Sequence, residues 1–553
     1  MKLGIDIGGT NTDGVLIKNE EVLASTKLST EADSLAATIL KVCRELISSK
    51  KTNQISQVNL STTLTTNQIA QENFPPVGLL IIPGPGLNPD WYHYSPATEV
   101  LSGSIDHRGR EVAPLNLNEV KAALKKFTQE EISRVAICAK FSPRNPKHEI
   151  KIKKLIKDEF PEFDLLTLGH QLSGKLNFPR RTATTYLNTA VLETQQQFIA
   201  AIKEGLADLG IQAPVQVLKA DGGTMSLTES LQAPIESINS GPAASIMGVL
   251  ATSDLKGTTL ALDIGGTTTD ISLFIDEKPL FKPQGVEINN YKTLVRGLYN
   301  ESLACGGDSL VQIVDQQLQI APQRRGNAAA YGGVDPTPTD ALVVLGLDQQ
   351  GQLAAAKNSL EPLAKQLGLT VKKVALKIVE LFCTKIEEKV TEILNKLNNQ
   401  PVYTINELLS ISKIKPNSLV GIGGPAAALI PTLAKKLKLD YLIPNYSPIV
   451  NAIGAALARS TKKCTLYADT AQGYYQLPEL GITEKIEQLD LATAKKILQE
   501  SLAEQLPNSK TEIEITSAQS FNMVRGFNTI GQIIEATAQI KPGLTNKLRR
   551  GHL

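Results

Sequence analysis

Apolar and polar residues alternate along this chain in short blocks, and one block is written twice. Residues 3–17 read LGIDIGGTNTDGVLI, and residues 260–274 read LALDIGGTTTDISLF. Each is an apolar run, an Asp, a Gly-Gly turn, a Thr-rich corner, a second Asp and another apolar run. That order predicts a β-hairpin with a tight turn. Elsewhere the pattern alternates between strand and helix. Apolar residues at helical spacing (Leu35, Ile39, Val42, Leu46) predict a helix over 31–49. Short apolar runs predict strands at 58–60, 77–82, 134–140, 165–168 and 215–218. Helices are expected at 119–127, at 149–158, from 180 through Phe198, and over 359–397. Residues 238–248 and 450–458 read as helices of small residues, suited to close packing between lobes. A strand at 418–422 runs into Gly423-Gly424-Pro425 and a helix at 426–437. Residues 87–115 are a Pro- and Gly-rich excursion. Residues 461–553 read as a small α/β appendage, with a helix at 491–506 and strands at 512–516 and 530–540.

Composition narrows the class. A chain of 553 residues with 42% apolar and 20% charged residues has ample core for three or four domains. A formal net charge of +2 gives no reason to expect a nucleic acid or an anionic membrane as partner. The five cysteines (Cys43, Cys138, Cys305, Cys383, Cys464) are scattered and form no CxxC, so neither a disulfide framework nor a zinc site is expected. The first strand starts at once, leaving no room for a signal peptide. No apolar run is long enough to span a bilayer. A cytoplasmic protein is expected.

The repeated block carries the chemistry. Glycines let the backbone approach a ligand closely, and a turn of exposed N–H groups binds phosphate, with Thr hydroxyls as further donors. A carboxylate beside phosphates repels them unless a hard cation lies between, so Asp6 and Asp263 suggest Mg²⁺. Two such hairpins suggest two similar lobes clasping one nucleotide. No GxGxxG follows the first strand, which excludes a Rossmann site. Asp13 and Asp270 close the hairpins, either as catalytic groups or as turn-stabilising ones. Other candidates are weaker. Thr63 and Asn67 lie in a hydroxyl-rich corner at 61–67, readable as a substrate corner or as a plain helix cap. Arg180 and Arg181 open a helix against its dipole, which suggests an anionic ligand or carboxylate partners. Asp221 sits in a third Gly-Gly turn. Gly306 and Gly307 form a fourth, expected to lead into a helix. His148 beside Glu149 reads as a polar site or as a solvated loop histidine.

The order of these elements resembles the actin, sugar-kinase and heat-shock-chaperone ATPase superfold. The finer resemblance is to the hydantoinase A and oxoprolinase family. It rests on DIGGTNTD at 6–13, STTLTTN at 61–67, NPKHE at 145–149, RRT at 180–182, SGPAAS at 240–245, DIGGTTTD at 263–270, CGGDS at 305–309, YGGVDPTPTDA at 331–341 and GIGGPAAAL at 421–429. The chain departs from the family pattern at Ser61, where members commonly carry His before the TTN motif, and at Ala330, where they carry Cys.

The resemblance implies an α/β fold of duplicated ribonuclease-H-like lobes. It places the first lobe at 1–237, with an inserted α/β subdomain at about 75–180. The second lobe would cover 238–460, and 461–553 would be a divergent appendage. Residues 238–248 and 450–458 would be the helices crossing between lobes. The resemblance implies ATP as cofactor with Mg²⁺ on Asp6 and Asp263, and Asp6, Asp13, Asp263 and Asp270 as the catalytic carboxylates. Gly8, Gly9, Thr10, Asn11 and Thr12 would cradle phosphates together with Gly265, Gly266, Thr267, Thr268 and Thr269. Gly306, Gly307, Gly423, Gly424 and Pro425 would complete the nucleotide site. Thr63, Asn67, Arg181 and Asp221 are the substrate-side candidates. The implied reaction is ATP-dependent opening of a small cyclic amide, with a hydantoinase B-like subunit as possible partner and an oligomeric assembly. Two alternatives are an ATP-driven switch acting on a partner protein and a small-molecule kinase.

Overall fold

The computed structural model describes residues 1–30, 35–47, 49–399, 413–486, 488–505 and 512–549. Two of its sheets follow one plan. In the first, Glu21–Ser29, Asn11–Lys18, Lys2–Ile7, Gln57–Thr62 and Val215–Leu218 lie side by side in that order, with Thr224–Ser226 at the edge. In the second, Thr269–Ile275, Thr258–Ile264, Ser418–Ile422 and Asp440–Leu442 repeat the order, with Asn300–Leu303 and Lys278–Pro279 beside Thr269–Ile275. Each repeated block is an antiparallel hairpin whose first strand also pairs with a parallel strand. Parallel neighbours need long crossovers, and these supply the helices. Leu35–Leu46 and Phe178–Asp208 pack on the first sheet around Leu3, Ile5, Val58 and Leu60. Leu353–Leu367, Val371–Asn398 and Ala426–Leu437 pack on the second around Leu260, Leu262 and Leu419.

Two small-residue helices, Ser240–Thr252 and Val450–Leu457, cross between the sheets. The first packs on Ala261, Phe274 and Val420, and the second on Val15 and Ile17. Their crossing leaves no room for side chains. A Cβ at Gly454 would stand 2.0 Å from the Ala244 carbonyl oxygen, and one at Gly248 would stand 2.1 Å from that of Val450.

A separate four-stranded parallel sheet, ordered Leu165–Leu168, Arg134–Ala139, Gly78–Ile82, Thr98–Val100, is covered by Leu117–Gln129 and Lys147–Glu159. Beyond the second crossing helix, five antiparallel strands form the last sheet, with the helix Leu491–Ala503 against it. Among the described residues no helix is long and apolar enough to cross a membrane. All five cysteines are free and buried.

Three expectations need correction. The Gly306-Gly307 turn leads into a β-hairpin, Ser309–Val314 and Gln317–Arg324, rather than a helix. Gln317 to Ile320 alternate polar and apolar side chains, which is of strand type. The helical stretch 359–397 is two helices, parted where Gly368 turns left-handed (φ +62°) and Thr370 caps the next helix by accepting from Lys373 N. In the last region Lys463–Asp469, Tyr474–Leu477 and Ile482–Lys485 add three strands that the sequence pattern had not suggested.

Candidate functional site

Each repeated hairpin turns over four residues. Gly8 N donates to Asn11 O at 3.0 Å, and Gly265 N donates to Thr268 O at the same distance. Among the described residues, the N–H groups of Gly9 and Thr10, and of Gly266 and Thr267, have no protein acceptor. Each tip therefore presents a pair of backbone donors, as an anion site requires.

Below the tips lie four carboxylates. Asp6 stands opposite Asp13 across its hairpin, and Asp263 opposite Asp270. Asp6 is buried, and its Oδ1 has no hydrogen-bond partner among the described residues, nor has the hydroxyl of nearby Ser61. Burial pushes the Asp6 carboxyl up to about 7; the Ser61 hydroxyl opposes this, and the charges of Asp13 and Asp263 add to it. The Asp263 charge thus reaches Asp6 in the other sheet. Asp263 Oδ2 accepts from Ser245 Oγ at 2.6 Å and from Asn451 Nδ2 at 3.1 Å, one residue from each crossing helix. Burial also raises Asp13, with Lys27 opposing at 2.7 Å. Asp270 is pushed up to about 6, chiefly by burial, although Asn300 Nδ2 donates to it at 3.0 Å.

The Gly423-Gly424-Pro425 turn joins this group. Gly423 has φ +93°, and a Cβ there would lie 2.3 Å from the Ile264 carbonyl and 3.0 Å from Asp263 Oδ1. Gly424 faces open space. Thr63 also lies close, with its methyl 4.0 Å from a Cβ built at Gly241, at the start of the first crossing helix.

Other expected residues do different work. Gly307 N and Asp308 N donate to the carbonyls of Gly265 and Gly266, and Gly306 N donates to Ser309 Oγ. The donors of this turn are spent on bracing the second hairpin, so Gly306 and Gly307 have none left for a phosphate. The hydroxyls of Thr12 and Thr269 are likewise occupied, one with Thr30 Oγ1 and one with Cys305 O. Arg181 is fully buried, and its guanidinium donates to the carbonyls of Ala139, Lys140 and Lys175. The partners of Arg181 are carbonyls, while Arg180 beside it pairs with Glu287 at 3.0 Å, the carboxylate partner that was one of the two expectations for this helix start. Asp221 is buried and accepts from Gly223 N at 2.9 Å and Gln539 Nε2 at 2.5 Å. It holds its own turn to the last sheet. Asn67 is an exposed helix residue whose backbone N donates to Thr63 O.

The sequence reading did not single out Lys27, Ser245, Asn300 or Asn451, and noted Ser61 only as a departure from the family pattern. Ser245 and Asn451 lie in the small-residue helices, where hydroxyl and amide positions do not break the apolar pattern. His148 is fully buried against Glu111, and the buried Glu149 binds His170 Nδ1 at 2.5 Å, so neither His148 nor Glu149 is a solvated loop residue.

Known proteins can be set beside this geometry. The chain is 26% identical over 494 residues to the caprolactamase subunit alpha of Pseudomonas jessenii, a match over 83% of this chain and 70% of that one. It is 24% identical over 393 residues to the acetophenone carboxylase gamma subunit of Aromatoleum aromaticum, covering 62% of this chain and 53% of that one. The crystal structure of the ATP-dependent caprolactamase from Pseudomonas jessenii superposes with a TM-score of 0.73 at 20% identity, over 100% of this chain and 89% of the other. The model of the hydantoinase/oxoprolinase N-terminal region matches residues 2–160, which contain the first hairpin. The hydantoinase/oxoprolinase model proper matches 181–464, which contain the second, and the chain belongs to the hydantoinase/oxoprolinase family.

Proposed function

We propose that this chain is the ATP-using part of a hydrolase that opens a cyclic amide, and that its two plan-sharing sheets are the lobes of an actin-like ATPase closing on the nucleotide. One observation carries this reading. Two hairpins from different sheets present backbone donors without a protein acceptor among the described residues, and Asp6, buried in the first, feels the charge of Asp263 in the second. We divide the chain into lobes at 1–237 and 238–460, with 461–553 as a third unit.

The residues fit Mg²⁺ with a nucleotide. Mg²⁺ is held by one or two carboxylates, with waters and substrate phosphates filling the remaining positions. Asp6 offers a buried, unpartnered oxygen, and Asp263 would be the second carboxylate. No cluster of three or more ligating side chains exists among the described residues, so an all-protein cage is not the model. The cation would supply charge neutralisation at the phosphates.

ATP, water and the cyclic amide would give the open-chain acid, ADP and phosphate. Phosphorylation of the amide oxygen would make the ring carbon electrophilic; water adds there, the C–N bond breaks to free the amine, and a second water hydrolyses the acyl phosphate that remains to acid and phosphate. This chain's residues would bind and orient. The backbone donors of Gly9, Thr10, Gly266 and Thr267 hold phosphate oxygens, Ser245 and Asn451 fix the Asp263 carboxylate, and the Gly423–Pro425 turn receives the nucleoside. A lactam and a ketone both present a carbonyl oxygen. The same nucleotide-using chain therefore suits the substrates named for both relatives. Those relatives are subunits, and we assign this chain a partner that supplies water activation.

The test has two stages. Calorimetry with ATP and Mg²⁺ is expected to give binding, and none at millimolar nucleotide rejects the reading. The isolated chain is then supplied with ATP and 5-oxoproline, hydantoin or caprolactam. Slow ADP release with little ring opening is expected; rapid opening without a second protein rejects the need for a partner.

A further inference from the structure

Arg324 ends the second strand of the 309–324 hairpin. Its Nη1 donates to Thr10 Oγ1, at the tip of the first phosphate hairpin 314 residues away. Its Nη2 pairs with Asp308 Oδ2 at 3.0 Å and donates to Asn327 Oδ1 at 2.8 Å, and its Nε donates to Gly326 O. Asp308 is itself fastened to the second hairpin, since its N donates to Gly266 O at 2.7 Å. One guanidinium therefore joins the tips of both hairpins, beside the backbone donors that have no acceptor.

The charges around it are unbalanced. Among the described residues Asp6, Asp13, Asp263, Asp270 and Asp308 are met by two cations, Lys27 and Arg324. Lys27 is bound to Asp13 through both carboxylate oxygens. Arg324 is 17% exposed and shares its planar fork among single acceptors. That fork matches phosphate oxygens bidentately, a stronger arrangement than a single contact to a hydroxyl.

We propose that Arg324 is a further catalytic residue of the nucleotide site. It contacts the terminal phosphate of a bound nucleoside triphosphate and bridges the two hairpin tips across it, and Asp308 holds the guanidinium when that phosphate is absent. The proposal rests on the nucleotide reading above. Asp308 holds Arg324 through one contact of 3.0 Å to a single nitrogen, which a bidentate phosphate can displace, and burial keeps the Asp308 carboxyl above its ordinary value even with Arg324 beside it. A diphosphate ends before the bridge and leaves Arg324 with Asp308. The residue thereby distinguishes ATP from ADP.

The experiment uses the full chain and compares the parent with Arg324→Gln, Arg324→Lys and Asp308→Asn. MgATP and MgADP affinities are measured by calorimetry, and ADP release by a coupled assay. Arg324→Gln is expected to keep MgADP affinity within about twofold and to lower turnover by roughly 1,000-fold, the lower end for an arginine acting on a transferring phosphoryl group. Arg324→Lys is expected to recover only part of this, because an ammonium cannot bind bidentately. Asp308→Asn frees the guanidinium and is expected to raise the preference for MgATP over MgADP. Turnover of Arg324→Gln near the parent rate overturns the proposal, and so does an equal loss of ATP and ADP affinity, which marks a structural role. Where Arg324→Gln fails to fold, Asp308→Asn decides, and an unchanged ATP-to-ADP ratio overturns the proposal. A parent that binds neither nucleotide overturns the nucleotide reading first, and this proposal with it.

Discussion

The two repeated hairpins carry nearly the same residues and differ in what stands around their carboxylates. Each sets two Asp opposite one another on adjacent antiparallel strands, where like charges are destabilising. The first hairpin answers with a cation, because Lys27 occupies the position on the third strand directly opposite Asp13. In the second sheet the position opposite Asp270 is Ser302, and the carboxyl relies on the Asn300 amide. The inner pair differs in the other sense. Asp263 is clamped by Ser245 and Asn451, whereas Asp6 keeps an oxygen without a partner. Two equal turns can thus serve unequal tasks. The backbone donors come from the repeat, and the division of charge comes from residues supplied by other elements.

The inner pair gives the largest expected effect. Asp6→Asn and Asp263→Asn are each expected to lower ATP turnover by at least about 100-fold, the scale for losing one preorganised electrostatic contact. Stability separates the two. Asp6→Asn removes a buried carboxylate with an unpartnered oxygen and should raise the urea midpoint, while Asp263→Asn should not. ADP release and urea titration of both variants check this; parent-rate turnover by either one removes its metal role.

Next comes a change that strikes both hairpins together. Gly454→Ala drives a methyl into the Ala244 carbonyl at the helix crossing, and overpacking of this kind costs roughly 2–3 kcal/mol. Unfolding in urea at constant m-value measures it. An unperturbed midpoint would show that the crossing helices are free to separate.

A smaller effect tests the first hairpin alone. Lys27→Met leaves Asp13 facing Asp6 without its cation. Because Lys27 is 45% exposed, the expected loss is only about 1 kcal/mol. The same substitution logic runs in reverse in the second hairpin. Ser302→Lys places a cation opposite Asp270 and should add about 0.5 kcal/mol, within the range of cross-strand pairs. The pH dependence follows from the sign of the shift. The Asp270 carboxyl lies at about 6 in the fold and near 3.9 when unfolded, so ionising it disfavours the folded state. Its contribution is best below the unfolded value and is lost as pH rises toward 6. The added lysine acts only on an ionised Asp270 in the fold, so the gain from Ser302→Lys should open between about pH 5 and pH 7. A gain that stays constant from pH 4 to pH 7 would disconnect it from Asp270.

Much of this was legible before any coordinates. The hairpins are local, with turn residues and apolar runs adjacent in sequence, so pattern alone predicts them. The small-residue helices were readable because close crossing excludes large side chains wherever it occurs. The fourth Gly-Gly turn was misread for the same local reason. Its glycines look like those of a phosphate loop, yet the Gly307 N–H is taken by the distant carbonyl of Gly265 and the Gly306 N–H by the Ser309 hydroxyl. Arg181 was misread because its helix-start position signals an anion, while the neighbouring sheet supplied carbonyls instead.

The sequence by itself determined the paired hairpins, the alternating α/β order, the Gly-Gly-Pro turn at 423–425 and the family. These are properties of short segments and of their order, and they depend little on what packs beside them. Only the tertiary structure decided that Asp263 is held by Ser245 and Asn451 while the buried Asp6 keeps an unpartnered oxygen, that among the described residues Lys27 neutralises one hairpin and no lysine the other, and that Arg324 reaches Thr10. Each of these depends on which distant side chain fills the space next to a carboxylate or a turn. That space is set by the meeting of two sheets through two crossing helices, and no single segment contains it.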